Sequence, residues 1–142
     1  MMANAFREMI LRLFRGQQES HAAKSVEVFG WLILLEGTAI LLFPNSVASL
    51  LQLPPLVEQA SNYFRLAGVL VGGLGILYVA SGRLNAQGFV FASLLDRPLV
   101  PIIMGILWYL DILPGALALA FSIQDFASFL WTLSAWSIES RK

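Results

Sequence analysis

Four long apolar stretches, separated by short polar connections, dominate the pattern of this chain. They run over about residues 25–43, 62–81, 87–110 and 116–136. Each is close to the roughly 20 residues that an α-helix needs to cross the hydrocarbon core of a bilayer. Short connections favour antiparallel neighbours. The pattern therefore predicts an all-α integral membrane protein, folded as an up-down-up-down four-helix bundle over residues 25–142.

The segment before the first span, residues 1–24, has a different pattern. Apolar side chains recur there at helical spacing: Phe6, Met9, Ile10, Leu13 and Phe14. Arginines occupy the other faces, which predicts an N-terminal amphipathic interfacial helix with its apolar side toward lipid. A flexible tail is the alternative for residues 1–16. Residues 16–24 are polar and predict a short linker.

The connection between the first two spans is partly apolar. It contains Val47, Leu50, Leu51 and Leu53, followed by Pro54-Pro55. Because proline cannot continue a helix, we expect a short interfacial helix that ends before the double proline.

The third span contains Asp96-Arg97-Pro98 and Pro101, which allow two interpretations. In the first, one helix is kinked at depth, and the two prolines free the carbonyls of Leu94 and Arg97. In the second, Asp96 caps a new helix with Pro98 in its first turn, and that helix is slightly short for a span. The kinked helix is favoured.

Composition narrows the class of protein. The chain is 58% hydrophobic and 13% charged, whereas a soluble domain usually carries about a quarter charged residues. Its formal net charge is zero, so no basic field would attract nucleic acid. It has no cysteine, and its one histidine, His21, lies outside the predicted spans, which excludes thiolate chemistry and a bis-His haem. We expect no metal site, no cofactor and no enzymatic activity of the chain on its own.

The basic residues indicate an orientation. With a cytoplasmic N-terminus, the inner side holds Arg7, Arg12, Arg15, Lys24, Arg83, Arg141 and Lys142. Only Arg65 lies toward the outer side. The positive-inside rule then predicts that both termini are cytoplasmic, and we expect a bacterial inner membrane.

A few charged side chains lie within the apolar spans: Glu36, Arg65, Asp96, Arg97 and Asp125. Each charge at a helix centre costs roughly 2.5–3.5 kcal/mol on insertion scales. The positions along the spans predict two intramembrane ion pairs, Glu36 with Arg65 toward the outer side and Asp125 with Arg97 toward the inner side. An unpaired Glu36 would instead be a candidate proton carrier.

Small residues mark one face of the second span. Arg65, Gly68, Gly72 and Gly75 share this face, and Gly68 with Gly72 forms a GxxxG pair. The face either packs closely against a neighbouring helix or forms a smooth groove where a flat ligand lies beside a cation. The fourth span carries a polar stripe that we expect to face other helices: Ser122, Asp125, Ser128 and Thr132.

Short sequences along the chain also carry a family resemblance. They are Gly30-Trp31 with Glu36-Gly37, Tyr63-Phe64-Arg65-Leu66-Ala67-Gly68, Ala92-Ser93-Leu94-Leu95-Asp96-Arg97, Gln124-Asp125-Phe126 and Leu130-Trp131-Thr132. In these the chain resembles small four-helix bacterial membrane proteins of the DoxX-like and BphX-like type. The resemblance implies a four-helix membrane fold. Some DoxX-like proteins are membrane subunits in quinone-dependent sulfur oxidation, but no residue of this chain indicates a redox centre, so the resemblance implies fold and membrane location rather than function.

Three functions fit these features. The favoured one is an accessory or binding subunit in the lipid bilayer, which holds a lipid, quinone or other hydrophobic ligand, or docks on another membrane protein or a second copy of itself. The alternatives are a proton-coupled small-solute transporter using Glu36 or Asp125, and a membrane subunit of a quinone-linked oxidoreductase. The candidate binding residues are Glu36, Arg65, Gly68, Gly72, Asp96, Arg97 and Asp125.

Overall fold

The computed structural model describes residues 2–16 and 20–141, and all regular structure in these residues is helical. The helices are α1 (Met2–Arg15), α2 (His21–Leu42), α3 (Pro44–Leu50), α4 (Glu58–Arg83), α5 (Gln87–Asp96), α6 (Leu99–Tyr109) and α7 (Gly115–Glu139). Four helical segments are long and apolar enough to cross a membrane: α2, α4, α7, and α5 with α6 taken together. The predicted all-α class and the four candidate spans are confirmed at this level.

The first span begins earlier than expected, at His21 rather than near Ser25. Ser20 caps it, because the Ser20 hydroxyl accepts a hydrogen bond from the Ala23 N–H at 3.1 Å. The linker predicted at residues 16–24 is therefore helical from His21 onward, and residues 17–19 lie outside the described part of the chain.

The far end of the chain completes this cap. The Glu139 carboxylate, at the end of α7, accepts hydrogen bonds from the Ser20 hydroxyl at 2.7 Å and from the backbone N–H groups of His21 and Ala22. A carboxylate here satisfies free amides and lies at the positive end of the helix dipole. The start of α2 and the end of α7 are thus held together.

Helices α2 and α4 run antiparallel with their backbones almost in contact. A Cβ atom added to Gly37 would lie 2.3 Å from the backbone nitrogen of Gly72, and one added to Gly75 would lie 2.5 Å from that of Leu34. Three further glycines at this interface have no room for a side chain: Gly30, Gly68 and Gly82. Helix α2 therefore fills the glycine face of α4, as the close-packing interpretation predicts.

The other long helices pack around this pair. Helix α7 contacts α2, and α5 contacts α2, α4 and α7, while α6 contacts only α5 and α7 among the described helices. The hydrophobic core lies toward the end of the molecule where α2 begins, and its buried members include Ala22, Val26, Phe29, Ile33, Tyr78, Val90 and Ala135.

The third span is one helical path interrupted at Arg97 and Pro98. Both residues keep right-handed helical torsions, with φ −58° and ψ −38° at Arg97 and φ −65° and ψ −20° at Pro98. Asp96 ends α5 and does not cap α6, which agrees with the kinked-helix interpretation. The expectation that Pro101 frees the Arg97 carbonyl was wrong, because the Val100 N–H donates to that carbonyl at 3.2 Å.

Helices α1 and α3, which lie outside the four candidate spans, agree with the sequence pattern. Helix α3 ends before Pro54-Pro55, as predicted. Helix α1 presents exposed Phe6 and Phe14 side chains and touches the rest of the protein near its end, where Arg83 Nη1 donates to the Leu13 carbonyl at 3.3 Å. A cation at a helix C-terminus stabilises that end of the helix.

Candidate functional site

At the interruption between α5 and α6, the Arg97 side chain lies between α2, α4 and α7. Its exposure is 0%, and it is the largest fully buried side chain among the described residues. The guanidinium carbon lies 4.2 Å from the ring centroid of Phe29 on α2 and 5.2 Å from that of Tyr78 on α4. Two aromatic faces therefore stabilise the cation in a place that water does not reach.

Two oxygen atoms of α7 accept hydrogen bonds from one nitrogen of this guanidinium. Arg97 Nη1 donates to the Thr132 hydroxyl at 2.8 Å and to the Ser128 carbonyl at 3.1 Å. The Thr132 hydroxyl also lies 2.7 Å from the Ser25 hydroxyl of α2. Thr132 thus connects three helical segments, and the polar stripe of the fourth span faces inward at Asp125 and Thr132, as predicted.

The other two nitrogens of Arg97 make no hydrogen bond of normal geometry within the described residues, although the Tyr78 side chain packs beside the guanidinium. Nε and Nη2 are buried and make no hydrogen bond to any residue in 2–16 or 20–141. These two N–H groups lie on one edge of the planar guanidinium and point in parallel, which is the pair that binds a carboxylate with two hydrogen bonds. Each buried unsatisfied donor costs about 1–3 kcal/mol. The edge is therefore a site with unused binding capacity.

The predicted ion pair between Asp125 and Arg97 is not formed. Asp125 is 8% exposed and interacts with Arg97 only at longer range, because no nitrogen of Arg97 lies within 4.0 Å of its carboxylate. Arg97 Nη1 instead bonds to α7 further along the helix, at Ser128 and Thr132. Asp96 is exposed at the end of α5, beside this buried group.

The predicted pair of Glu36 with Arg65 was wrong. Arg65 is exposed, and its Nη1 donates to the Leu41 carbonyl at 2.9 Å. Glu36 accepts a hydrogen bond from Gln124 Nε2 of α7 at 3.0 Å. Successive residues of a helix point about 100° apart. Because Gly37 faces α4, the preceding residue Glu36 points toward α7 instead.

Glu36 and Gln124 lie where two apolar grooves meet. The first groove, of about 430 Å³, runs between α2 and α7 and is lined by residues such as Leu32, Ile123 and Trp131. The second, of about 280 Å³, lies between α2, α3 and α7, and Glu36 lines it. Gln124 and Ala120 line both grooves. This arrangement can hold an elongated apolar molecule with a polar group near its middle or end.

A third buried acidic or basic residue, Glu27, was missed by the sequence analysis. Glu27 is 3% exposed and accepts hydrogen bonds from Arg83 Nε at 2.9 Å and Lys24 Nζ at 3.1 Å. The Trp31 indole N–H donates to the same carboxylate at 3.4 Å. The spacing of Lys24, Glu27 and Trp31 on one helical face was the available signal. This group lies where α2 begins and α4 ends.

The described residues contain no group of three or more His, Asp or Glu side chains placed to hold a metal ion. No protein-family model, no curated protein and no solved structure matches the chain. The resemblance to DoxX-like proteins stays a prediction, and function is inferred from the geometry of the polar groups and grooves.

Proposed function

We propose that this chain is an integral membrane protein that binds a hydrophobic ligand in the grooves between α2 and α7, as an accessory or binding subunit. Its four spans cross a bacterial inner membrane as an up-down-up-down bundle. Helix α1 lies in the interface, and both termini are cytoplasmic.

Membrane insertion is supported by the surface of the long helices. Large apolar side chains are exposed along α4, α6 and α7, for example Leu70, Ile102 and Ile123. A soluble monomer rarely exposes such extended apolar surface, whereas lipid tails cover it without cost. Cations collect at one end of the helices, around Lys24 and Arg83, which supports a cytoplasmic location of that end.

The observation that carries the ligand-binding proposal is the hydrogen bond between Glu36 and Gln124 at the junction of the grooves. It uses one carboxylate oxygen and one amide hydrogen. The second carboxylate oxygen, the second amide hydrogen and the amide oxygen keep their bonding capacity, so the pair can bind a hydroxyl, amine or carbonyl group. Polar groups in a mostly apolar cleft fix the orientation of a ligand.

The groove shape indicates the class of ligand. Both volumes are near the range of about 300–1,000 Å³ that is usual for small-molecule sites. Apolar walls suit an acyl or isoprenoid chain, and the Glu36–Gln124 pair suits a small polar head. A membrane lipid or a quinone has this combination, in agreement with the favoured function from the sequence.

Photolabelling tests this proposal. The purified protein in nanodiscs is irradiated with a phospholipid that carries a diazirine on its acyl chain, and the labelled residues are mapped by mass spectrometry. We expect labels at Ile123 and Gln124 that are lost in Ala120→Trp, because the indole fills both grooves. Ala92→Trp, at an alanine of α5 that is also exposed, should keep them. Equal labelling of these sites in both variants contradicts the proposal.

A further inference from the structure

A buried guanidinium and a buried carboxyl group lie close together without forming a pair. Arg97 has two free N–H groups on one edge, and none of its nitrogens contacts an acid. Asp125 on α7 is 8% exposed, and its carboxylate makes no hydrogen bond to another residue in the described part of the chain. Ionised groups in such surroundings are expected to be paired, and a lone carboxyl is expected to take up a proton.

The geometry allows the two groups to meet. Asp125 precedes Ser128 by three residues, and the Ser128 carbonyl accepts a hydrogen bond from Arg97 Nη1. Three residues correspond to about 4.5 Å along a helix. Asp125 therefore lies about one turn of α7 from an atom that Arg97 contacts, and both residues are buried between the same helices.

The charged and titratable groups that face Asp125 are few. They are Glu36 from α2, Tyr78 from α4, Asp96 from the end of α5 and Arg97. Helices α3 and α6 contain no acidic or basic residue. Arg97 is the one cation in this set, so it is the group with which an ionised Asp125 would pair.

We propose that Asp125 is a proton-binding site whose occupancy decides whether Arg97 is paired. With the proton on its carboxyl group, Asp125 is neutral and leaves the Nε–Nη2 edge of Arg97 free. When the proton leaves to water at the 8% of Asp125 that stays exposed, the carboxylate turns and accepts hydrogen bonds from both N–H groups of that edge. The Nη1 bonds to Thr132 and Ser128 remain in both states.

This site lies behind the ligand grooves. Phe29 and Ser128 line the larger groove and also contact Arg97, but Asp125 lines neither groove. The proton site does not depend on a ligand in the grooves, so the two proposals can fail separately.

The first test follows Arg97 itself. The protein in nanodiscs is labelled with ¹⁵N-arginine, and the Arg97 Nε–H resonance is assigned by its loss in Arg97→Lys. We expect this resonance to move in a single step between acidic and mildly alkaline pH. The step should disappear in Asp125→Asn and persist in Glu36→Gln. A resonance that does not titrate, or one that titrates equally in Asp125→Asn, overturns the proposal.

The second test keeps Asp125 intact, because Asp125→Asn could fail to fold. The chain contains three aspartates, and Asp96 and Asp111 are exposed, so the double variant Asp96→Asn/Asp111→Asn leaves Asp125 as the only one. With ¹³C-aspartate, the infrared carbonyl band of protonated Asp125 should vanish over the same pH interval as the Arg97 step. A band that persists across the interval, or its loss without any change at Arg97, contradicts the proposal.

Discussion

Gly37 of α2 and Gly72 of α4 lie so close that a Cβ atom on Gly37 would stand 2.3 Å from the Gly72 backbone nitrogen. This contact fixes the rotation of α2 about its axis. Because neighbouring residues of a helix point about 100° apart, the contact also directs Glu36 to α7 and into the groove region. Close packing of α2 against α4 thus positions a polar side chain of α2 on a different face, toward α7.

Gly37→Ala should separate α2 from α4 and destabilise the protein. The added methyl group meets backbone, which cannot move aside as a side chain can, so we expect a loss of about 1–3 kcal/mol or more. Thermal unfolding in detergent, followed by circular dichroism, measures it. Gly73→Ala is the matched control, because its Cβ position has no atom of a neighbouring helix within 4 Å. If both variants unfold at the same temperature, the glycine contact does not hold the helices together.

Thr132→Val should weaken the centre of the protein. The valine keeps the shape but removes the hydroxyl that accepts from Arg97 and bonds to Ser25, so we expect a loss of about 1–3 kcal/mol. Chemical denaturation in a mild detergent measures the change. Ser134→Ala, at an exposed serine of α7 that bonds only to its own helix, should change stability little. An unchanged unfolding midpoint in Thr132→Val would show that this hydrogen-bond network contributes nothing to stability.

The four spans were predictable because length and hydropathy are local properties of the chain. The partners of the charges were not predictable in this way. The sequence predicted that Asp125 and Arg97 would pair, but whether they bond depends on side-chain torsions and on the competing acceptors Thr132 and Ser128. Glu36 was paired with the wrong helix because depth alone does not give the rotation of a helix.

Glu27→Gln should cost stability at the end where α2 begins. It removes the charge shared by Arg83 and Lys24, and hydrogen bonds to charged groups contribute about 1.5–3 kcal/mol. The partial exposure of both cations places the expected loss at the lower end of that range. Glu8→Gln, at an exposed Glu8–Arg12 contact of 3.9 Å, serves as the control in the same unfolding assay. Equal effects of the two substitutions would rule out a special role of the Glu27 cluster.

Cysteine labelling can test the proposed orientation, because the natural chain contains no cysteine. Ser46→Cys on α3 and Gln87→Cys at the start of α5 are both exposed positions. In intact cells, a membrane-impermeant maleimide should label Ser46→Cys at once and Gln87→Cys only after permeabilisation. The reverse order of labelling would place the termini outside, against the positive-inside rule.

Glu27 shows a further limit of sequence interpretation. Its neighbour Lys24 ends the polar stretch before the first span, so Glu27 looks like part of a hydrated helix end. Its burial depends on Arg83, which approaches from the far end of α4. Contacts of this kind depend on which helices become neighbours, and the periodicity of one span does not contain that information.

Native mass spectrometry of the protein, released from nanodiscs prepared directly from the producing membrane, tests ligand binding most directly. We predict that the wild-type chain carries a bound hydrophobic molecule of defined mass, that Ala92→Trp retains it, and that Ala120→Trp loses it because the groove junction beside Glu36 and Gln124 is filled. A wild-type protein without bound mass, or the same bound mass in all three proteins, would contradict a ligand site between α2 and α7.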